Sequence, residues 1–166
     1  MTIKDSGQRT RFESGAVRDI QEGKGRCDLL PFDVVKRLYR WDNHHNQAAF
    51  FSKIDRFVES GNSFFLCEAV GIFTDESDFV SWSDMLLEVS KHFEDGCKKY
   101  GENNWKKGIP VRRYIDSAVR HYLKWCREDH DEPHDRAVCW NLMCAIWTCM
   151  NKPELNEYAK EGIENE

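Results

Sequence analysis

The run from Ala137 to Met150 is the strongest constraint on this chain: fourteen residues, apolar except for Asn141 and Thr148. It falls short of the ~20 residues that a bilayer-spanning helix needs, so it reads as a helix buried inside the protein. Pro133 opens that helix and Pro153 stops it, because proline suits a first turn but cannot continue a helix. Upstream, Pro110 opens another helix, with Ile115, Ala118, Val119, Tyr122 and Cys126 inward. The acidic turn Glu128-Asp129-His130-Asp131-Glu132 joins the two. So short a connection predicts an antiparallel pair.

The rest of the chain also reads as helices. One starts at Leu30-Pro31 and runs through Val34, Val35 and Leu38 toward Trp41. A second spans Gln47 to Ser60, with Phe50, Ile54, Phe57 and Val58 on one face and Gly61 as its stop. A shorter apolar element covers Ser63 to Phe73. Ser81-x-x-Asp84 starts a further helix that Gly101 ends, with the stripe Leu86, Val89, Phe93, Cys97 and Tyr100. No alternating apolar run lies between hairpin turns, and no repeat is present. The expectation is an all-α, single-domain bundle of about five or six helices. Residues 1–27, with Gly7, Gly15, Gly23 and Gly25 and little periodicity, read as an irregular N-terminal arm. Residues 28–152 form the all-α domain, and 153–166 a charged C-terminal tail with room for a marginal helix.

At 166 residues with 40% hydrophobic content the chain can bury a core. Its net charge of −5, from 24 basic and 29 acidic residues, argues against duplex nucleic acid as a partner, since that affinity comes from cations on phosphates. A small phosphorylated ligand remains compatible with a local basic cluster. Seven cysteines, an odd number without a CxxC, read as reduced thiols. Met1 to Arg11 carries no apolar stretch of a signal peptide. These features predict a cytoplasmic protein with no membrane partner.

Candidate site residues concentrate around the helix–turn–helix corner. Glu128, Asp131, Glu132, His134 and Asp135 offer an oxygen-rich group suited to Mg²⁺ or Mn²⁺. Glu128, Asp131 and His134 are the catalytic candidates, and Glu128, Asp131, Glu132 and Asp135 the metal ligands. The alternative is a solvated turn complementing the helix N-terminus. His134-Asp135 also spells the HD pair of the HD phosphohydrolases, without a well-spaced downstream Asp. Arg113, Ser117, Arg120, His121 and Lys124 share the other face of the Pro110 helix. At ~1.5 Å rise per residue, an antiparallel pair would set His121 level with Asn141 and leave His134 beside Arg127. One ion held by both histidines is therefore awkward. Arg120, His121 and Asn141 become ligand-binding candidates, against a structural Asn141–His121 hydrogen bond. Lys98, Asn104 and Trp105, with Lys99, form a further candidate for substrate binding, and the alternatives are dipole-complementing lysines and a core tryptophan. Gly23-Lys24-Gly25-Arg26 can wrap a phosphate through Lys24 and Arg26 but is not a P-loop.

Three stretches together carry a likeness. They are Gly23-Lys24-Gly25-Arg26-Cys27-Asp28-Leu29-Leu30-Pro31; Lys98 through Trp105 with Gly108; and Asp116-Ser117-Ala118-Val119-Arg120-His121 followed by His134 and Trp140-Asn141. From Gly15 onward the chain resembles the phage and prophage family of dATP/dGTP diphosphohydrolases, N-terminal type, which is distantly like the MazG-type all-α nucleotide pyrophosphohydrolases. Residues 40–84 look like a helical insertion relative to shorter members. The MazG-type enzymes bind Mg²⁺ through ExxE on one helix and ExxD on the next. Here Glu128-x-x-Asp131 falls in the turn and Glu154-x-x-Glu157 in the tail, so that ordered pair is absent from the helical core.

The resemblance implies a nucleotide ligand and a phage or prophage protein acting in a bacterial host. The reading is a metal-dependent purine (d)NTP diphosphohydrolase releasing pyrophosphate. The alternative is a non-catalytic, sponge-like nucleotide binder that sequesters a defence signalling nucleotide; a structural protein is the third. The resemblance also implies a homo-oligomer, with Phe50, Phe51, Phe64, Phe65 and Phe73 of the insertion partly buried against another subunit.

Overall fold

A computed structural model describes residues 7–22, 24–41 and 44–159, which hold six helices and one small hairpin. The helices are α1 (Phe32–Trp41), α2 (His45–Ser60), α3 (Phe64–Glu76), α4 (Trp82–Tyr100), α5 (Val111–Cys126) and α6 (His134–Asn151). Their ends follow local signals. Gly61 takes a left-handed conformation (φ 68°) and returns its N–H to the Phe57 carbonyl, closing α2. Ser81 Oγ accepts the Asp84 N–H at 3.2 Å, and the Asp84 carboxylate accepts the Val80 N–H at 3.1 Å, starting α4. Pro110 and Pro133 stand just before α5 and α6.

The apolar α6 is the central helix, packed against α5, α4 and α3, with Val138, Leu142, Cys144 and Ala145 fully buried. On its far side α5 meets an aromatic cluster. The Phe50 ring stacks on Tyr122 at 3.9 Å between centroids, and Phe51, Phe73 and Trp125 close around the pair. Phe50, Phe51 and Phe73 are thus buried in this chain's own core, whereas Phe64 is exposed. Each buried phenylalanine contributes about 1.5–3 kcal/mol of hydrophobic stabilisation.

Two features differ from expectation. The buried row of α4 is Met85, Val89 and His92, while Leu86 and Cys97 are exposed. Counting the imidazole as polar rotates the apparent stripe by one residue; in the fold that ring lies 5.1 Å from Trp140. The arm, without readable periodicity, carries a hairpin of β1 (Arg9–Arg11) and β2 (Val17–Asp19), with Thr10 opposite Arg18. Strands of three mostly charged residues are too short for alternation to show. Tertiary contacts hold the hairpin: Asn104 donates to the Val17 carbonyl at 2.7 Å and accepts the Val17 N–H at 2.9 Å, and Ser14 Oγ donates to the Gly108 carbonyl.

The tail forms a 3-10 turn, Pro153–Leu155, and then docks. Asn156 Nδ2 donates to the Gly61 carbonyl at 2.8 Å, and the Glu157 carboxylate accepts the Arg112 N–H at 3.0 Å. Residues 160–166 of the expected tail, and Gly23 of the glycine-rich stretch, lie outside the described residues. The seven cysteines are free thiols. Among the described residues no helix is long and apolar enough to cross a membrane.

Candidate functional site

A cavity of about 710 Å³ opens between α4, α5 and α6 under the hairpin, within the range of about 300–1,000 Å³ typical of small-molecule sites. Strand β2 and the residues after it supply Arg18, Asp19 and Lys24; α4 supplies His92, Phe93 and Lys99. Asn104 and Trp105 enter from the 3-10 turn Asn104–Lys107, and α6 contributes Trp140 and Asn141. The α5 wall carries Arg113, Asp116, Ser117, Arg120 and His121. Six cations (Arg18, Lys24, Lys99, Arg113, Arg120, Lys124) line the space against three carboxylates (Asp19, Asp116, Glu132), so it is locally positive in an acidic protein. Burial pulls Arg18, Lys24 and Arg113 below their ordinary basicity.

At one end of this space two histidines meet. His121 Nδ1 lies 2.9 Å from His134 Nδ1, and His134 Nε2 lies 2.7 Å from an Asp131 carboxylate oxygen. A carboxylate can only accept, so Nε2 of His134 carries a proton, and on the neutral ring the Nδ1 lone pair faces His121. Glu132 Oε1 stands 3.8 Å from His121 Nδ1 and 4.0 Å from His134 Nδ1. Burial first, and then His134, hold the His121 imidazole well below its usual range and therefore neutral. His121, Glu132 and His134 offer ligand atoms within 4.8 Å of one another, as do Asp129, Asp131 and His134. Two imidazoles and a carboxylate suit Mn²⁺ or another transition ion better than Mg²⁺, which prefers an all-oxygen shell.

This corrects the helix register expected from the sequence. His121 is level with His134, and Tyr114 with Trp140 (ring centroids 6.1 Å apart), about two turns from the alignment that paired His121 with Asn141. The connection is not a tight turn. Glu128 adopts a left-handed conformation (φ 59°) after α5 ends, and the chain then runs back alongside α5, bringing Asp131 within 3.2 Å of Lys124 Nζ. The helix α6 thus starts beside the middle of α5 rather than its end.

The arm is locked onto the site by two aspartates. Asp116 accepts the Cys27 N–H at 2.7 Å and Gln21 Nε2 at 2.8 Å, and pairs with Arg120. Arg120 Nε also donates to the Lys24 carbonyl at 2.9 Å. Asp19 receives Arg9 at 2.8 Å and Lys99 at 2.7 Å. Arg18 reaches inward from β2 to donate to Asn141 Oδ1, its guanidinium over the Tyr114 and Trp140 rings. Three buried polar atoms of cavity-lining residues have no hydrogen-bond partner among the described residues: Arg18 Nη1, His92 Nδ1 and Trp140 Nε1.

Residues 77–158, which contain α4, α5 and α6, match the family model described as dATP/dGTP diphosphohydrolase, N-terminal. Over this segment the chain is similar to that family. No curated protein and no solved structure matches the chain. The segment that matches this model supplies the helical walls of the cavity, and the hairpin outside it supplies the roof.

Of the sequence candidates for substrate binding, Lys24, Asn104, Trp105, Arg120, His121 and Asn141 line the cavity. Arg26 and Lys98 do not: Arg26 pairs with Asp28 at 2.6 Å, and Lys98 pairs with Glu94 on the exposed face of α4. The neighbouring Lys99 points in instead. Asn104 uses both amide atoms on Val17, and Trp105 is wedged between Phe93 and Trp147. Asn141 bonds Ala137 and Arg18, so the Asn141–His121 bond is not formed. Glu128 and Asp135 join neither ligand cluster, whereas His121 and Asp129 do. Sequence reasoning missed Arg18, Asp19 and His92. Only the spacing of His92 from Met85 and Val89 could have flagged one of them, and nothing in the polar arm marks Arg18.

Proposed function

We propose that this protein is a metal-dependent diphosphohydrolase of purine (deoxy)nucleoside triphosphates, cleaving between the α- and β-phosphates to give a nucleoside monophosphate and pyrophosphate. The observation that carries the reading is the cavity itself, which combines an excess of cations with a His121–Glu132–His134 group at its edge. That group would hold a divalent ion, Mn²⁺ by its donor chemistry, and a bound ion supplies Lewis acidity and a more acidic water. Asp131 orients the His134 ring through Nε2 and keeps Nδ1 open as a donor atom. The cationic lining neutralises the polyphosphate. Trp105, Phe93 and Trp140 line the space with aromatic surface suited to a purine.

The test is to incubate the purified protein with each dNTP and Mn²⁺ or Mg²⁺ and to quantify pyrophosphate and mononucleotide. Turnover of dATP or dGTP is expected, faster with Mn²⁺. Absence of pyrophosphate from both purine triphosphates with either ion overturns the reading. Recovery of intact nucleotide from the denatured complex would instead support the non-catalytic binder, a reading favoured by the lack of helical ExxE and ExxD in the core.

A further inference from the structure

Four of the six cations lining the cavity are answered by the protein. Lys24 and Lys99 face Asp19 at 3.8 and 2.7 Å, Arg120 pairs with Asp116, and Lys124 lies 3.2 Å from Asp131. Arg18 and Arg113 have no carboxylate partner among the described residues, yet both line the space. The case of Arg18 is sharper. One of its terminal nitrogens is taken by Asn141, while Nη1 is buried with no hydrogen-bond partner among the described residues. The Tyr114 and Trp140 rings, 5.0 and 5.9 Å from its guanidinium carbon, compensate part of the charge but offer no in-plane acceptor. The charge of Arg18 adds to burial in lowering the basicity of the nearby Arg113.

A guanidinium with a buried, unbonded nitrogen and no anion beside it is strongly unfavourable, and none of the described residues supplies that anion, so an anionic ligand suits this place. A neutral base edge could satisfy Nη1 but would bring no negative charge to the two guanidinium groups. Phosphoanhydride oxygens answer both needs, because the planar guanidinium fork matches them in charge and geometry.

We propose that Arg18 and Arg113 form a polyphosphate-binding pair that grips the phosphate chain of the nucleotide independently of the metal ion. The pair deepens, and rests on, the reading of this cavity as the nucleotide site. It assigns phosphate recognition to these two arginines rather than to Arg120, whose guanidinium is occupied in holding the arm. It also makes the hairpin, outside the matched segment, part of the ligand site.

The experiment is isothermal titration calorimetry of the full chain with inorganic tripolyphosphate in the presence of EDTA. Wild type, Arg18→Gln, Arg113→Gln and the surface control Lys91→Gln are compared, with thermal melts run in parallel. Wild type and Lys91→Gln are expected to bind equally, and each arginine variant at least about 10-fold more weakly. Arg113 forms no side-chain hydrogen bond or ion pair among the described residues, so its variant decides the matter even if Arg18→Gln unfolds. Failure of wild type to bind tripolyphosphate, or wild-type affinity in Arg113→Gln, overturns the pair. Arginine-dependent binding without any dNTP turnover would sink the hydrolase reading and leave the pair standing. Turnover with affinity unchanged by the arginine substitutions would do the reverse.

Discussion

Asp116 joins the arm to α5, and Asp116→Asn isolates what its charge contributes. The side chain is 2% exposed. One oxygen accepts the Cys27 N–H at 2.7 Å, while the other accepts Gln21 Nε2 at 2.8 Å and faces Arg120 Nη2. In the asparagine variant the remaining carbonyl can serve only one side. With it on Cys27, the new NH₂ meets Gln21 and Arg120. Gln21 can turn its amide to present oxygen, but Arg120 has only donors. The net loss is one charge-assisted bond, about 1.5–3 kcal/mol, within a pair whose disruption costs about 3–5 kcal/mol when fully buried. Arg120 retains some solvent contact and its bond to Lys24. The expected destabilisation is therefore about 2–3 kcal/mol. Urea unfolding followed by far-ultraviolet circular dichroism should show a lower midpoint with an unchanged slope. Hydrogen exchange at the Cys27 amide should quicken, because the contact that holds the arm there is weakened. A loss below about 1 kcal/mol with unchanged exchange would refute this account and leave Asn104 and Ser14 as the true anchors.

Gly61→Ala should destabilise by at least about 1–3 kcal/mol: the residue has φ +68°, and an added Cβ would meet the Ala159 backbone at 2.6 Å. Thermal melts check it, and a shift no larger than that of an exposed-helix substitution contradicts it. Asp131→Asn should weaken Mn²⁺ binding about 10–100-fold by releasing the His134 ring, and His134→Ala should abolish it, both read by calorimetry; full affinity in His134→Ala excludes the His121–Glu132–His134 site. Burial, then Arg136, push the His92 imidazole from 6.5 down to about 3. Between those values the unfolded chain binds the proton and the native one does not, so stability falls as pH drops below about 6.5, by up to about 1.4 kcal/mol per pH unit. His92→Phe should flatten that slope in urea titrations at pH 6 and 4, and an identical slope in the variant counts against a neutral buried imidazole.

The helices were legible because their signals are local. Prolines at 110 and 133, Ser81 with Asp84, Gly61 and Gly101, and the apolar run Ala137–Met150 act within a turn or two of chain, where sterics and capping decide the outcome. The burial of α6 followed from composition alone, since so apolar a helix has no stable place in water. Part of the site was legible for the same reason: Asn141 and Arg120 stand out on helical faces, and both line the cavity. What needed the tertiary structure is the register between helices and the position of the arm. The seven-residue connection 127–133 can close as a turn or run back along α5, and only the packing of α6 selects the second. That choice sets His121 against His134 and makes a two-histidine cluster that axial counting had set aside. The arm depends on Asn104, Asp116 and Gly108, about 90 residues away in sequence. No local pattern encodes such contacts, so Arg18 reads as an ordinary charge in a polar arm until the fold buries it beneath the roof of the cavity.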